Sequence, residues 1–264
     1  MNDLAGIAAH LDGADVKAAL DLALSTVKAQ PSNVDARRLL IDLLILAEDY
    51  ERADRQADIL LKTSPDLTLG MSLLRGRLRA AAARVAWFRN GAVPAFPEGP
   101  TTRDQAAMEL AVAGRAGDEQ SLRAALESVT SASETTGIEV NGKSVDSFRD
   151  ADDRIPHALE ILCTDGSYMW VDFGLVEHVA FEPVRTFRDL VWRPTKLTLK
   201  DGAESEVITC ATYFAASPSD EELLARTTDW TEEGGGLVTG RGQKAFLAGD
   251  EAVYAVDLLS LSSR

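Results

Sequence analysis

Residues 15–31 read DVKAALDLALSTVKAQP and residues 49–65 read DYERADRQADILLKTSP. Laid over one another, they share Asp15/Asp49, Ala19/Ala53, Ala23/Ala57, Val27/Leu61 and Pro31/Pro65 at a constant offset of 34 residues. That offset is the period of the tetratricopeptide repeat, in which one helical hairpin buries its apolar face against the next. The residue types suit such a unit. Alanine on successive turns lets two antiparallel helices approach closely, and a proline, lacking an N–H, stops the second helix. Asn33 stands where an N-cap is needed for a helix carrying Leu39, Leu40, Leu43, Leu44 and Leu46, and Glu48-Asp49 marks the turn before a helix over Tyr50 to Lys62.

Working outward, the chain from Leu4 to about Ser131 is rich in Ala and Leu at helical spacing, which predicts helices throughout. A third hairpin is expected from Ala107 to Arg115, a break at Gly117-Asp118, and a helix from Leu122 to Val129. Between the hairpins, Asp66 to Asn90 carries Arg75, Arg77, Arg79, Arg84 and Arg89, with no acid between Asp66 and Glu98. With Leu73, Leu74, Leu78, Val85 and Trp87, this reads as a helix whose apolar stripe packs inward. Its arginines then meet an acidic surface, either of this protein's own second half or of a partner. Gly91 ends the helix, and Pro94, Pro97 and Pro100 make Gly91 to Pro100 a loop or hinge.

Beyond Ser131 the β-formers Val, Ile, Tyr, Trp and Phe become more frequent and turn signals appear at Asn141-Gly142, Asp165-Gly166 and Asp201-Gly202. Ala158 to Cys163 with Ser167 to Phe173 form one candidate hairpin, and Thr195 to Leu199 with Glu206 to Ala211 another. Short antiparallel strands closing on themselves are the expected solution, and Ala252 to Leu261 suggests a last strand or short helix. The fold class is therefore α+β. A tetratricopeptide-like helical hairpin array over residues 1–131 precedes a mainly antiparallel β-domain over residues 132–264.

The 264 residues carry 27 Lys and Arg against 42 Asp and Glu, a net charge of −15. The net is −3 through residue 130 and −12 after it, which disfavours a nucleic-acid coat. The amino terminus has no basic stretch ahead of an apolar one, and the apolar runs are short and interrupted by Asp42 and Arg84, so neither secretion nor a membrane span is expected. Cys163 and Cys210 form no C-x-x-C pair and read as buried, reduced thiols of a cytoplasmic protein.

The densest polar cluster is Arg149-Asp150-Ala151-Asp152-Asp153-Arg154, followed by His157 and Glu160. Asp150, Asp152 and His157 are residue types that ligate a metal or share acid/base work, while the interleaved arginines offer internal ion pairs instead. Gly234 to Gly236 and Gly240-x-Gly242 lack the phosphate-loop pattern, and Gly240 to Lys244 reads as a tight β-turn. No serine sits in G-x-S-x-G, and His10, His157 and His178 make no triad. Trp170 and Trp192 read as core or sheet-face residues.

The order and spacing of several motifs resemble the ImpE family, also called TagJ or SciE-like, of accessory proteins of bacterial type VI secretion systems. In the first half these are Arg37-Arg38-Leu39-Leu40 to Leu44, Glu51-Arg52-Ala53-Asp54-x-Gln56 and Gly91-x-x-Pro94. In the second they are Phe148, Asp150-Ala151-Asp152-x-Arg154, Glu160, Gly166-x-Tyr168-x-Trp170-Val171, Arg188-Asp189-Leu190-Val191-Trp192-x-Pro194, Thr228-x-Trp230 and Gly240-x-Gly242-Gln243. The chain departs from the family pattern at Pro156-His157, where Gly-Pro is expected, and at Ala211 to Phe214, where Pro-x-Arg-Tyr is expected. The resemblance implies a non-enzymatic adaptor with no cofactor and no metal. It would bind a helix of the small sheath subunit and assist sheath assembly or its recycling by the AAA+ ATPase. The alternative is a small hydrolase or metal-binding protein using Asp150, Asp152 and His157. Stacked hairpins offer a groove for a short helix, and Arg75, Arg79 and Trp87 on the basic helix are the expected partner-binding residues. Asp150, Asp152, Arg154, Glu160, Tyr168, Trp170, Asp189 and Trp192 are expected to be structural.

Overall fold

A computed structural model describes residues 2–264. Its first half is helical: α1 (Asn2–Asp12), α2 (Val16–Ala29), α3 (Val34–Leu46), α4 (Tyr50–Thr63), α5 (Thr68–Asn90), α6 (Thr102–Ala116) and α7 (Glu119–Ala132). The repeated aspartates have one job. Asp15 and Asp49 are the N-caps of α2 and α4, accepting from the backbone N–H of Ala18 and Arg52, and Asn33 caps α3 through Ala36. The repeated alanines Ala19, Ala23, Ala53 and Ala57 are all essentially inaccessible, and Pro31 and Pro65 each follow the residue that closes a helix. Helix α3 buries Leu40, Ile41 and Leu43 to Leu46, more than one face, because neighbours pack on it from several sides. Gly91 closes α5 in the left-handed conformation (φ 73°), where a side chain would be strained.

The second half is mostly antiparallel sheet. Strands β1 (Ile138–Val140), β2 (Lys143–Val145), β3 (Phe148–Asp150), β4 (Ala158–Leu162), β5 (Tyr168–Asp172), β6 (Val176–Phe181), β7 (Trp192–Leu199) and β8 (Glu204–Cys210) precede a one-turn helix α8 (Asp220–Leu223). Strands β9 (Thr228–Glu232), β10 (Val238–Gly242), β11 (Ala245–Ala248), β12 (Glu251–Tyr254) and β13 (Ser260–Ser263) complete the chain. The main sheet has eight strands in the order β2-β1-β13-β6-β7-β8-β4-β5, beside a three-stranded sheet (β12-β11-β3) and the β9–β10 pair. The α+β class, helices first and antiparallel strands after, is as read from the sequence, and so are the hairpins at Asp165-Gly166 and Asp201-Gly202.

Three expectations need correction. The strands do not close on themselves: the main sheet is open, with β2 and β5 at its edges. The β5 edge is covered instead by the proline-rich loop, since Ala95 donates to the Tyr168 carbonyl (2.8 Å) and accepts from the Trp170 N–H (3.0 Å). Of the loop or hinge expected at Gly91 to Pro100, that pairing leaves the loop, tied to the sheet at Ala95 and so not free to act as a hinge. Gly240 and Gly242 lie in strand β10, not in a tight turn. A Cβ at Gly240 would come within 2.4 Å of the Tyr213 ring, so the glycine is set by that ring's close approach.

Helix α5 joins the halves. It lies on β4 and β5, and at Gly76 a Cβ would fall 1.7 Å from the Thr164 carbonyl oxygen, so only glycine permits this contact. One buried apolar cluster runs from Leu40, Leu44 and Ala57 through Trp87 to Trp170, Trp192 and Ile208. Among the described residues, no helix is long and apolar enough to cross a membrane.

Candidate functional site

Six of the residues singled out in the β-half, Asp150, Asp152, Arg154, Glu160, Tyr168 and Trp170, converge on a buried ion network beneath α5. Arg84 of α5 donates through Nε (2.7 Å) and Nη2 (3.2 Å) to the Glu160 carboxylate of β4, and through Nη2 to the Thr212 carbonyl (2.9 Å). Lys244 lies 2.6 Å from Asp150 and 3.0 Å from Glu160. Tyr168 donates to Glu160 (2.5 Å), and the Trp170 indole donates to Tyr168 (2.8 Å). Tyr213 donates to Asp150 at 2.7 Å. Arg154 pairs with Asp152, which also accepts from the Gly240 N–H (2.7 Å). Three cations thus face three carboxylates; of the acids in the cluster, Asp152 and Asp153 pair with the interleaved Arg154 and Arg149, whereas Asp150 and Glu160 take Lys244 and Arg84 instead.

Electrostatics follow from that balance. Burial alone would raise the Glu160 pKa, but Arg84 and Lys244 outweigh it and hold the carboxyl well below the ordinary carboxylate range. Burial works against the Lys244 ammonium, yet Asp150 and Glu160 raise its pKa. Burial pushes the Cys210 thiol up to about 12 and also raises Cys163, so neither is an activated nucleophile.

Asp150, Asp152 and His157 do not form one cluster of open ligands. The first two belong to the ion network, whereas His157 Nε2 lies 2.9 Å from Asp104 of α6. Asp104, His157 and Asp172 do bring ligand atoms within 4.8 Å of one another. Each carboxylate is already engaged: Asp104 accepts from the Thr101 N–H, and Asp172 accepts from Arg103, Thr101 and the Gly174 N–H. The set is a junction between α6 and the sheet whose lone pairs are spent on internal donors.

The three expected partner-binding residues face different ways. Arg75 binds Asp54 (2.7 Å) and Asp58 (2.7 Å) of α4, and Arg79 lies against the Gly166 turn. Trp87, only 4% exposed, packs edge-on against Trp170 (ring centroids 4.8 Å apart). It forms part of the floor of a cleft of about 590 Å³ between α5, α6, α7 and the β-half, together with Phe88, Leu110, Leu122, Phe214 and Leu237. Phe88 and Phe214 stack at 4.7 Å, Arg115 sits over the Trp87 ring and Arg154 over Phe88. Asp189 accepts from the N–H groups of Arg185 and Thr186, and Trp192 stacks on Tyr50 at 5.9 Å, seating the β-half on α4. Lys244, Phe214 and Arg115 were missed by sequence reasoning. Lys244 directly follows the Gly240-x-Gly242-Gln243 motif, the one signal that pointed near it.

Residues 142–262, which contain most of the ion network, match the family model described as ImpE protein. Over these residues the chain is similar to the ImpE family. The resemblance read from the motifs is thereby borne out, and it extends beyond them. The chain is 24% identical over 232 residues, 86% of its own length and 81% of the relative's, to the type VI secretion system accessory component TagJ of Pseudomonas aeruginosa. The crystal structure of protein VPA1032 from Vibrio parahaemolyticus superposes with a TM-score of 0.90 at 27% identity, covering 98% of this chain and 97% of that one. The helical half and the ImpE-like half therefore recur together as one arrangement.

Proposed function

We propose that this protein is a non-enzymatic, cytoplasmic accessory component of a type VI secretion system. It acts as an adaptor that binds a helix of the small sheath subunit and assists sheath assembly or its recycling by the AAA+ ATPase. The observation that carries the reading is the similarity to TagJ over 86% of the chain, through both halves. The cleft floored by Trp87, Phe88, Phe214 and Leu237 supports it, because an amphipathic helix is held by laying its apolar face into such a groove. Arg115 on the rim, stacked on Trp87, is placed to meet acidic side chains flanking that face. Co-purification of the full chain with the small sheath subunit, and separately with the ATPase, tests the reading. Retention of the sheath subunit supports the adaptor role, and retention of neither partner overturns it.

A further inference from the structure

Among the described residues, one buried side-chain nitrogen or oxygen has no hydrogen-bond partner, and it is Arg77 Nε on α5. The fully buried arginines are satisfied, Arg37 by Gln56 and the Pro31 carbonyl, Arg84 by Glu160, and Arg193 by the Glu182 and Ala255 carbonyls, whereas Arg77 is half-buried and only its Nε is sealed. A buried charged donor left unmade is costly, so such an atom calls for a water or a ligand.

Its surroundings are arranged for an anion. Two clefts, of about 420 Å³ and 240 Å³, share Arg77 and Arg188 as lining residues. Together they are lined by five cations, Arg38, Arg77, Arg185, Arg188 and Lys196, against four carboxylates. Three of those carboxylates are committed. Asp42 pairs with Arg188 (3.0 Å), Glu182 lies 3.5 Å from Arg185 and 3.7 Å from Lys196, and Asp189 is turned to backbone N–H groups. At Arg77 burial works against the charge and Arg188 repels it, while the fourth carboxylate, Glu206, attracts it. The residue is one positive charge with a free donor, on a protein whose net charge is −15.

We propose that this crevice, between α5, the single turn Phe187–Leu190 and strands β7 and β8, binds one carboxylate of a partner segment, received by Arg77. The excess of a single cation matches a monoanion, and Glu206 and Glu182 oppose a phosphate dianion. A guanidinium fork is also the side chain best shaped to take a carboxylate in two bonds. The site lies apart from the Trp87 cleft, so it stands whether or not that cleft holds a helix.

The test uses the full chain in low-chloride buffer and follows the arginine Nε–H resonances by NMR. The probes are a blocked Gly-Glu-Gly peptide, its Gly-Gln-Gly counterpart and inorganic phosphate. A saturable shift of the Arg77 signal with the Glu peptide alone, strengthened in Glu206→Gln and, read at the Arg188 signal of the same clefts, weakened at least about tenfold in Arg77→Gln, is the expected result. Should Arg77→Gln fail to fold, the Glu206→Gln comparison still decides. Equal response to the Gln peptide, tighter binding of phosphate, or no saturable shift would overturn the proposal and leave water as the partner of Arg77.

Discussion

Replacing Arg84 by methionine keeps most of the side chain's apolar stem and removes the guanidinium that bridges α5 to β4. In the native protein Glu160 is shared among Arg84, Lys244 and Tyr168. Without Arg84 the buried network holds three carboxylates against two cations. Removing one partner of a buried pair typically costs about 3–5 kcal/mol, and because Lys244 remains beside Glu160, about 3 kcal/mol is expected. For a chain of this size that corresponds to a fall in Tm of roughly 9 °C, since each kcal/mol shifts Tm by about 2–4 °C. Urea titration followed by circular dichroism, with an unchanged m-value, measures it directly. The double variant Arg84→Met/Glu160→Gln restores the balance at two against two, so it should be no less stable than Arg84→Met alone. A single-variant cost under about 1 kcal/mol, or a double-variant cost equal to the sum of the singles, would refute the charge-balance reasoning.

Acid should act partly through the same carboxylate. Because Glu160 has a depressed folded pKa, its stabilisation is complete above the unfolded value of about 4.3 and is lost as pH falls below it, so stability against pH should flatten there in Glu160→Gln. Gly240→Ala, which drives a methyl into the Tyr213 ring, should cost about 1–3 kcal/mol by chemical denaturation. Chelator treatment should leave Tm unchanged, because His157 and Asp104 satisfy one another and Asp172 is held by Arg103, Thr101 and Gly174; stoichiometric metal in the purified protein would contradict this. In thiol titration of the native protein Cys210, buried and with a pKa of about 12, should react only on unfolding, whereas the half-buried Cys163 should react first.

Much of the fold was legible because its signals are local. The Asp and Pro of the 34-residue repeat act within one turn of where they stand, as caps and stops, and the Asn-Gly and Asp-Gly pairs set their own hairpins. Within Asp150 to Arg154 the interleaved arginines do pair with Asp152 and Asp153, though not with Asp150. What stayed hidden was long-range. Nothing near Arg84 announces Glu160, 76 residues away, and nothing near Asp150 announces Lys244, 94 residues away. The basic stretch looked like a single face, yet its arginines radiate around α5: Arg75 to α4, Arg84 into the sheet and Arg77 into a crevice. The closed sheet failed for a similar reason, because the strap that covers β5 is a proline-rich loop with no strand pattern.

The central claim is that this protein holds a partner helix in the cleft above Trp87. Calorimetric titration of the full chain with the helical segment of the small sheath subunit tests it most directly, compared with Ala111→Trp, which fills the cleft from α6. Saturable binding in the native protein, weakened at least about tenfold (1.4 kcal/mol) by Ala111→Trp, is the predicted result. Absence of binding at high micromolar concentration, or binding indifferent to the filled cleft, would contradict it.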